Sequence, residues 1–250
     1  PCGWSEYETK IQKKANYSFY YTNYLPFAIN SIKTPLTDIE KKGGYVINKF
    51  AVENAPSVHL NESFVLRPED QISKVEPVYR SYNENSIWGN SQGPLSWSEI
   101  NENLLNDKRL GKVLNKGRFL RSTLEKTLAG CNSFEDSLSK VYYFIRQNVK
   151  GDGYRSIYSG NIQKVFAEKS GNTGEINLLL LAALREAGFD CHPLLISTNE
   201  GPPPSKEDPR RNGVNFLVAA VFRDTTYYLL DASQRELPFN SLSSRCLNGY

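Results

Sequence analysis

Three places in this chain carry residue types and spacings that could do chemistry. The first is Thr173 with Glu175, in Gly171-Asn-Thr-Gly-Glu175 at the head of a long apolar run. A threonine hydroxyl attacks only beside a strong base, and threonine enzymes usually draw on their own terminal amine. Thr173 is internal, so the plainer role is a helix cap or turn. The second is Cys191-His192, a thiol next to an imidazole. On a strand, successive side chains point to opposite faces and the two could not bond as a dyad; in a loop they could. The third is Asp231, in Tyr227-Tyr-Leu-Leu-Asp231-Ala-Ser233. Its carboxylate could orient an imidazole, bond backbone or tyrosine hydroxyls, or line a pocket.

His59 is the second of only two histidines, and it sits beside Pro56 and Glu62. The four cysteines (Cys2, Cys131, Cys191 and Cys246) are scattered and form no C-x-x-C pair. Separated histidines and unclustered thiols argue against a metal site, and no cofactor motif is present. Net charge is +3, with basic and acidic residues interspersed. That is too mild an excess to argue for nucleic acid or an anionic membrane as a partner. No run of apolar residues is long enough for a transmembrane helix. The chain begins with Pro and contains no Met, which reads as a fragment lacking its natural start.

The elements that must position these residues are legible from pattern. Asn172 with Glu175 three residues on is a capping-box start, Leu178 to Leu184 is apolar on nearly every face, and Gly188 is a helix stop. A buried helix is expected there, followed by a short strand over Leu194, Leu195 and Ile196. Val214 to Phe222 and Thr226 to Leu230 read as a hairpin joined by Arg223-Asp-Thr225. Ahead of them, Ser96 to Leu105 suits a capped amphipathic helix. Ser133 opens a longer one with Leu138, Val141, Tyr142 and Ile145 in one stripe. Gly151-Asp-Gly153 breaks that helix, and a loop with Tyr154 and Tyr158 follows. Loop rings such as Tyr154, Tyr158 and Trp88 suit contact with sugars or peptides, or cover for a domain seam.

The stretch from Phe134 to Gly249 resembles the transglutaminase-like family. That family's motif is roughly Gly-x-Cys-x-Asp/Glu, then an apolar helix ending in Arg-x-x-Gly, a strand with a His, and a strand ending in Leu-Asp-Pro/Ala-Thr. Papain-like enzymes present a nucleophile in the same way, at a helix N-terminus that favours the thiolate. Aligned on Glu175, the Cys position holds Thr173. Counting back from Asp231, the His position falls on Phe216. Of the triad the resemblance implies, only Asp231 remains.

Residues 1 to about 85 look β-rich, with strands expected at Tyr17–Tyr21, Tyr45–Val52 and Ile72–Tyr82, the last interrupted by Pro77. The opening Trp4-Ser-Glu-Tyr-Glu8 and Asn54-Ala-Pro-Ser57 resemble the end of a β-rich domain that precedes the transglutaminase-like domain in a group of bacterial proteins. The expected layout is a β-rich domain over 1–85, a linker over 86–95 and the transglutaminase-like domain over 96–250, an α+β chain with helices packed on a small antiparallel sheet. The resemblance implies an exported protein, periplasmic or at the cell surface. The function expected is a catalytically inactive module that binds or scaffolds a peptide, glycan or protein, with Thr173, Glu175, Asn215, Asp231, Tyr154 and Tyr158 as binding residues. The alternative is a cysteine-dependent acyl-transfer or peptidase enzyme using Cys191 and a histidine.

Overall fold

The computed structural model describes residues 5–12, 15–22, 36–42, 45–52, 74–82, 96–200 and 214–246. His59 and Trp88 lie outside the described residues. The chain divides into two units, Pro1–Pro94 and Leu95–Tyr250.

The first unit is built of antiparallel strands. β1 (Ser5–Gln12), β4 (Tyr45–Val52) and β3 (Leu36–Lys42) form one sheet in that order, and β2 (Ala15–Thr22) pairs with β5 (Lys74–Tyr82). Lys42 stands opposite Tyr45, so β3 and β4 are joined by two residues, as the Gly43-Gly44 signal requires. Pro77 does not interrupt its strand: it pairs opposite Phe19 inside β5. β5 has a single hydrogen-bonded neighbour among the described strands, and an edge tolerates a residue with no N–H to donate.

The described residues of the second unit form five α-helices, of which the third and fourth pack on the fifth. α1 (Trp97–Asn106) begins with a Ser96–Glu99 capping box. The chain then makes two short 3-10 turns, Gly111–Val113 and Gly117–Leu120, before α2 (Arg121–Leu128) and α3 (Phe134–Asn148). α3 buries the expected stripe of Leu138, Val141, Tyr142 and Ile145. α4 (Ile162–Glu168) leads to α5 (Thr173–Glu186), and every residue of α5 from Ile176 to Leu184 is buried. A helix apolar all round must sit in the middle of the fold. One side of it lies on a sheet in which β9 (Phe216–Arg223) runs antiparallel between β8 (Cys191–Ile196) and β10 (Thr226–Leu230).

The sheet has two unlike faces. Cys191 and Leu195, with Leu217, Ala219 and Val221, and Leu230, join the main core around α5. Ile196, Phe216 and Val218 form a second cluster with Cys246, packed by Leu242. The register pairs like with like, Leu195 with Leu217 and Ile196 with Phe216, as strand alternation demands. This is the α+β arrangement expected from the sequence: helices packed on a small antiparallel sheet.

Candidate functional site

Asn172 caps α5: its side chain accepts the Glu175 amide at 3.0 Å while the Glu175 carboxylate accepts the Asn172 amide at 3.0 Å. Thr173 is therefore the first helical residue, where the helix field favours negative charge. That position is already occupied by protein. The Thr173 amide donates to the Tyr154 carbonyl at 3.2 Å. Its hydroxyl donates to the Ser156 carbonyl and accepts from the Ser156 amide, both at 3.3 Å. The loop carrying these carbonyls is pinned from below by a short parallel pairing, β6 (Lys150–Gly151) with β7 (Ser170–Gly171). Gly174 permits the contact, since a Cβ there would lie 2.3 Å from the Ser156 carbonyl oxygen.

One turn along α5 sits Asn177, fully buried and fully bonded. Its amide nitrogen donates to the Leu217 carbonyl at 2.8 Å and to Asp231 Oδ1 at 2.9 Å, and its oxygen accepts the Ala232 amide at 2.9 Å. Asp231, 0% exposed at the end of β10, also accepts from the Ser233 amide at 2.9 Å and hydroxyl at 2.6 Å through Oδ1. Its Oδ2 is buried without a hydrogen-bond partner. The carboxylate is thus an internal tie between helix and sheet, not a surface group. The Tyr142 hydroxyl completes the tie, facing the Asp231 carbonyl at 3.2 Å and the Leu237 carbonyl at 3.1 Å.

The residues that the sequence singled out are only partly brought together. Thr173, Glu175 and Asp231 do gather around the first two turns of α5. Phe216 does not: its ring lies in the second cluster, on the face of β9 turned from α5. Counting along a chain cannot fix strand parity, and the β9 residues that join the core around α5 are Leu217, Ala219 and Val221. Asn215 bonds Thr198 instead, accepting its amide at 2.9 Å and donating to its hydroxyl at 3.0 Å. Tyr154 is 76% exposed, and Tyr158 lies half-buried under the Arg109 guanidinium at 4.5 Å. Asn177 was missed; the signal available was a single amide inside an otherwise apolar helix.

The Cys191–His192 dyad does not form. Cys191 is 2% exposed on the α5 face, and its thiol donates to the Leu181 carbonyl at 3.6 Å. His192 is exposed on the opposite face, 3.1 Å from Asp190 Oδ1. Burial, partly offset by Arg185, pushes the Cys191 thiol up to about 11. Cys246, behind the sheet, is also pushed up to about 11, chiefly by burial. A reactive cysteine needs the reverse shift.

Both thiols should therefore resist iodoacetamide at neutral pH and label only on unfolding, which mass spectrometry of native and urea-treated protein would check. A raised folded value also sets a pH dependence. The stability that the buried neutral thiols represent is present below about pH 9 and is lost as pH climbs through about 11. For Cys191 alone that amounts to roughly 2 to 3 kcal/mol at most. Urea midpoints across that window should fall, and a Cys191→Ala variant should fall less steeply.

Beside the α5 N-terminus lies an open cleft of about 390 Å³, lined by Asp152, Asn161, Lys164, Glu168, Ser170 and Glu175 among others. Only Val165 among its lining residues is apolar. Asp152 also accepts the Tyr154 amide at 2.8 Å, so the exposed tyrosine stands next to the cleft along the chain. Among the described residues no group of histidine, cysteine and carboxylate side chains could hold a metal ion. No helix there is long and apolar enough to cross a membrane.

No family model and no curated protein matches this sequence. Solved structures do. A proposed protease from Parabacteroides distasonis ATCC 8503 aligns with a TM-score of 0.54 at 13% identity, over 92% of this chain and 40% of that one. A proposed cysteine protease from Cytophaga hutchinsonii gives 0.38 at 10% identity, over 93% and 72%. A protein described as a TGase gives 0.30 at 12% identity, over 78% and 43%. The first of these shows a shared fold, and this chain spans two fifths of its length.

Proposed function

We propose that the second unit is a catalytically silent transglutaminase-like module, which binds a peptide, glycan or protein partner without turning it over. The observation that carries this reading is the state of Thr173. By motif resemblance it stands at the nucleophile position, and its hydroxyl is spent on the Ser156 main chain at 3.3 Å. The supporting residues agree. The α5 face of β9 offers Leu217, Ala219 and Val221, none of which takes a proton from a hydroxyl. Asp231 is bonded to Asn177 and Ser233 in place of an imidazole.

The ligand face belongs to the polar cleft at the α5 N-terminus, with Glu175 in its lining and Tyr154 exposed next to it. Thr173 holds the loop that carries Tyr154, while Asn215 and Asp231 are committed to Thr198, Asn177 and Ser233. The layout of a β-rich domain over 1–85, a linker over 86–95 and a module over 96–250 belongs to the same proposal. So does placement in an exported bacterial protein, which rests on motif resemblance alone.

The test is a turnover assay, with casein and labelled peptides for hydrolysis and a primary amine as acyl acceptor. The chain and its Thr173→Ala variant should both run at the rate of buffer. Turnover that disappears in Thr173→Ala would overturn the reading.

A further inference from the structure

The net charge of the whole chain is +3, but the charge is not spread evenly. Between Asp107 and Lys126 the sequence holds seven lysines and arginines against two carboxylates, an excess of five within twenty residues. The fold turns all of these cations outward. Leu110, Val113, Leu114, Gly117, Leu120 and Leu124 fix the inward side of this segment, every one of them buried. Gly117 shows how tightly it is pressed to the core, since a Cβ there would lie 2.3 Å from the Ala182 carbonyl oxygen of α5. Lys108, Lys112, Lys116, Arg118 and Lys126 alternate with these anchors and are all exposed.

Two further cations in the segment are neutralised locally. Arg109 pairs with Asp107 at 3.1 Å and Arg121 with Glu186 at 2.6 Å. The other five make no ion pair among the described residues. Beside the turn that carries Lys112, and three residues after the exposed Glu102, lies Leu105, 52% exposed at the end of α1. Its carbonyl touches the turn that carries Lys112, because a Cβ on Gly111 would lie 1.9 Å from the Leu105 oxygen.

We propose that this surface docks the second unit onto an anionic lipid bilayer, with the unpaired lysines and Arg118 against the headgroups and Leu105 at the acyl boundary. Clustered cations flanking an apolar side chain are the combination that binds such an interface. A surface for single-stranded nucleic acid would call for exposed rings among the cations to stack on bases. The aromatic residue of this segment, Phe119, instead packs inward on Phe166 at 5.9 Å.

The experiment is co-sedimentation of the full chain with two kinds of vesicle, phosphatidylcholine alone and phosphatidylcholine mixed with phosphatidylglycerol. Binding is expected only to the mixed vesicles. Each cation removed should weaken partition roughly fivefold, so Lys112→Glu with Lys116→Glu and Arg118→Glu should lower it by at least about a hundredfold. Binding should also fade as salt rises from about 0.05 to 0.5 M, because headgroup charge is then screened. Leu105→Ser should weaken partition several-fold at every salt concentration. Circular dichroism would establish that the variants stay folded, as substitutions at exposed sites should. Equal binding to neutral vesicles, or full binding by the triple-charge variant, would overturn the proposal. So would binding to a DNA duplex with none to the vesicles, which would make the patch a polyanion site.

Discussion

Asn177→Asp should cost about 4 kcal/mol or more at pH 7, and most of that loss should be recovered near pH 4. The asparagine amide donates to Asp231 Oδ1 at 2.9 Å in a place with no exposure to solvent. The substitution turns the donor into a second acceptor, so two carboxylates meet at hydrogen-bond distance. Like charges that close and that dry cannot both remain ionised. The Leu217 carbonyl also loses its donor, and an unsatisfied buried acceptor costs roughly 1 to 3 kcal/mol on its own. The sign with pH follows from linkage. The new pair holds a proton more tightly when folded than when unfolded, so stability is greatest below the ordinary carboxylate range and falls as pH rises. Urea unfolding at both pH values checks it; a variant as stable as the parent at pH 7 would show that the tie is not formed. Asn177→Ala, which adds no charge, should cost less and show no such recovery.

Gly174→Ala should cost about 2 to 4 kcal/mol, although alanine is the better helix former by roughly 1 kcal/mol. The added methyl would lie 2.3 Å from the Ser156 carbonyl oxygen and 2.7 Å from its carbon. Both are main-chain atoms, so the loop must lift from the helix. Lifting it breaks the Thr173–Ser156 bonds and the Thr173–Tyr154 bond together. Amide exchange should therefore accelerate at Thr173 and Ser156 while the middle of α5, from Leu178 to Leu184, stays protected. Unchanged protection at Ser156 would mean that the loop does not rest on the helix.

How much of this was legible beforehand depends on the kind of signal. α5 was readable because its start, its apolar body and its stop each carry a local mark: the Asn172–Glu175 box, Leu178 to Leu184, and Gly188 with its φ of 87°. The separation of Cys191 from His192 followed from strand alternation once β8 was granted. β1 and β3 left no such mark, since Leu36-Thr-Asp-Ile-Glu-Lys-Lys42 is nearly all polar. Pro77 suggested a break, and β5, with one neighbour among the described strands, simply accommodates it.

At the site, Thr173 and Asp231 stand out in the sequence because they sit in recognisable local contexts. That Phe216 packs away from α5 could not be read from the sequence, because which face of β9 meets α5 depends on register, and register is a property of the paired strands. Asn177 was passed over for a related reason. A lone amide in an apolar helix has meaning only once its partners, Leu217, Asp231 and Ala232, arrive from 40 to 55 residues away.

The most direct test of a silent site is covalent capture. The native chain would be incubated with an activated peptide ester, quenched in acid and searched by intact and peptide mass spectrometry for an acyl adduct. A hydroxyl bonded to the Ser156 main chain and a thiol held at about 11 should leave Thr173 and Cys191 unmodified, with adducts confined to surface lysines at the rate of the unfolded chain. A stoichiometric acyl group on Thr173 or Cys191 that forms only in the folded protein would contradict it.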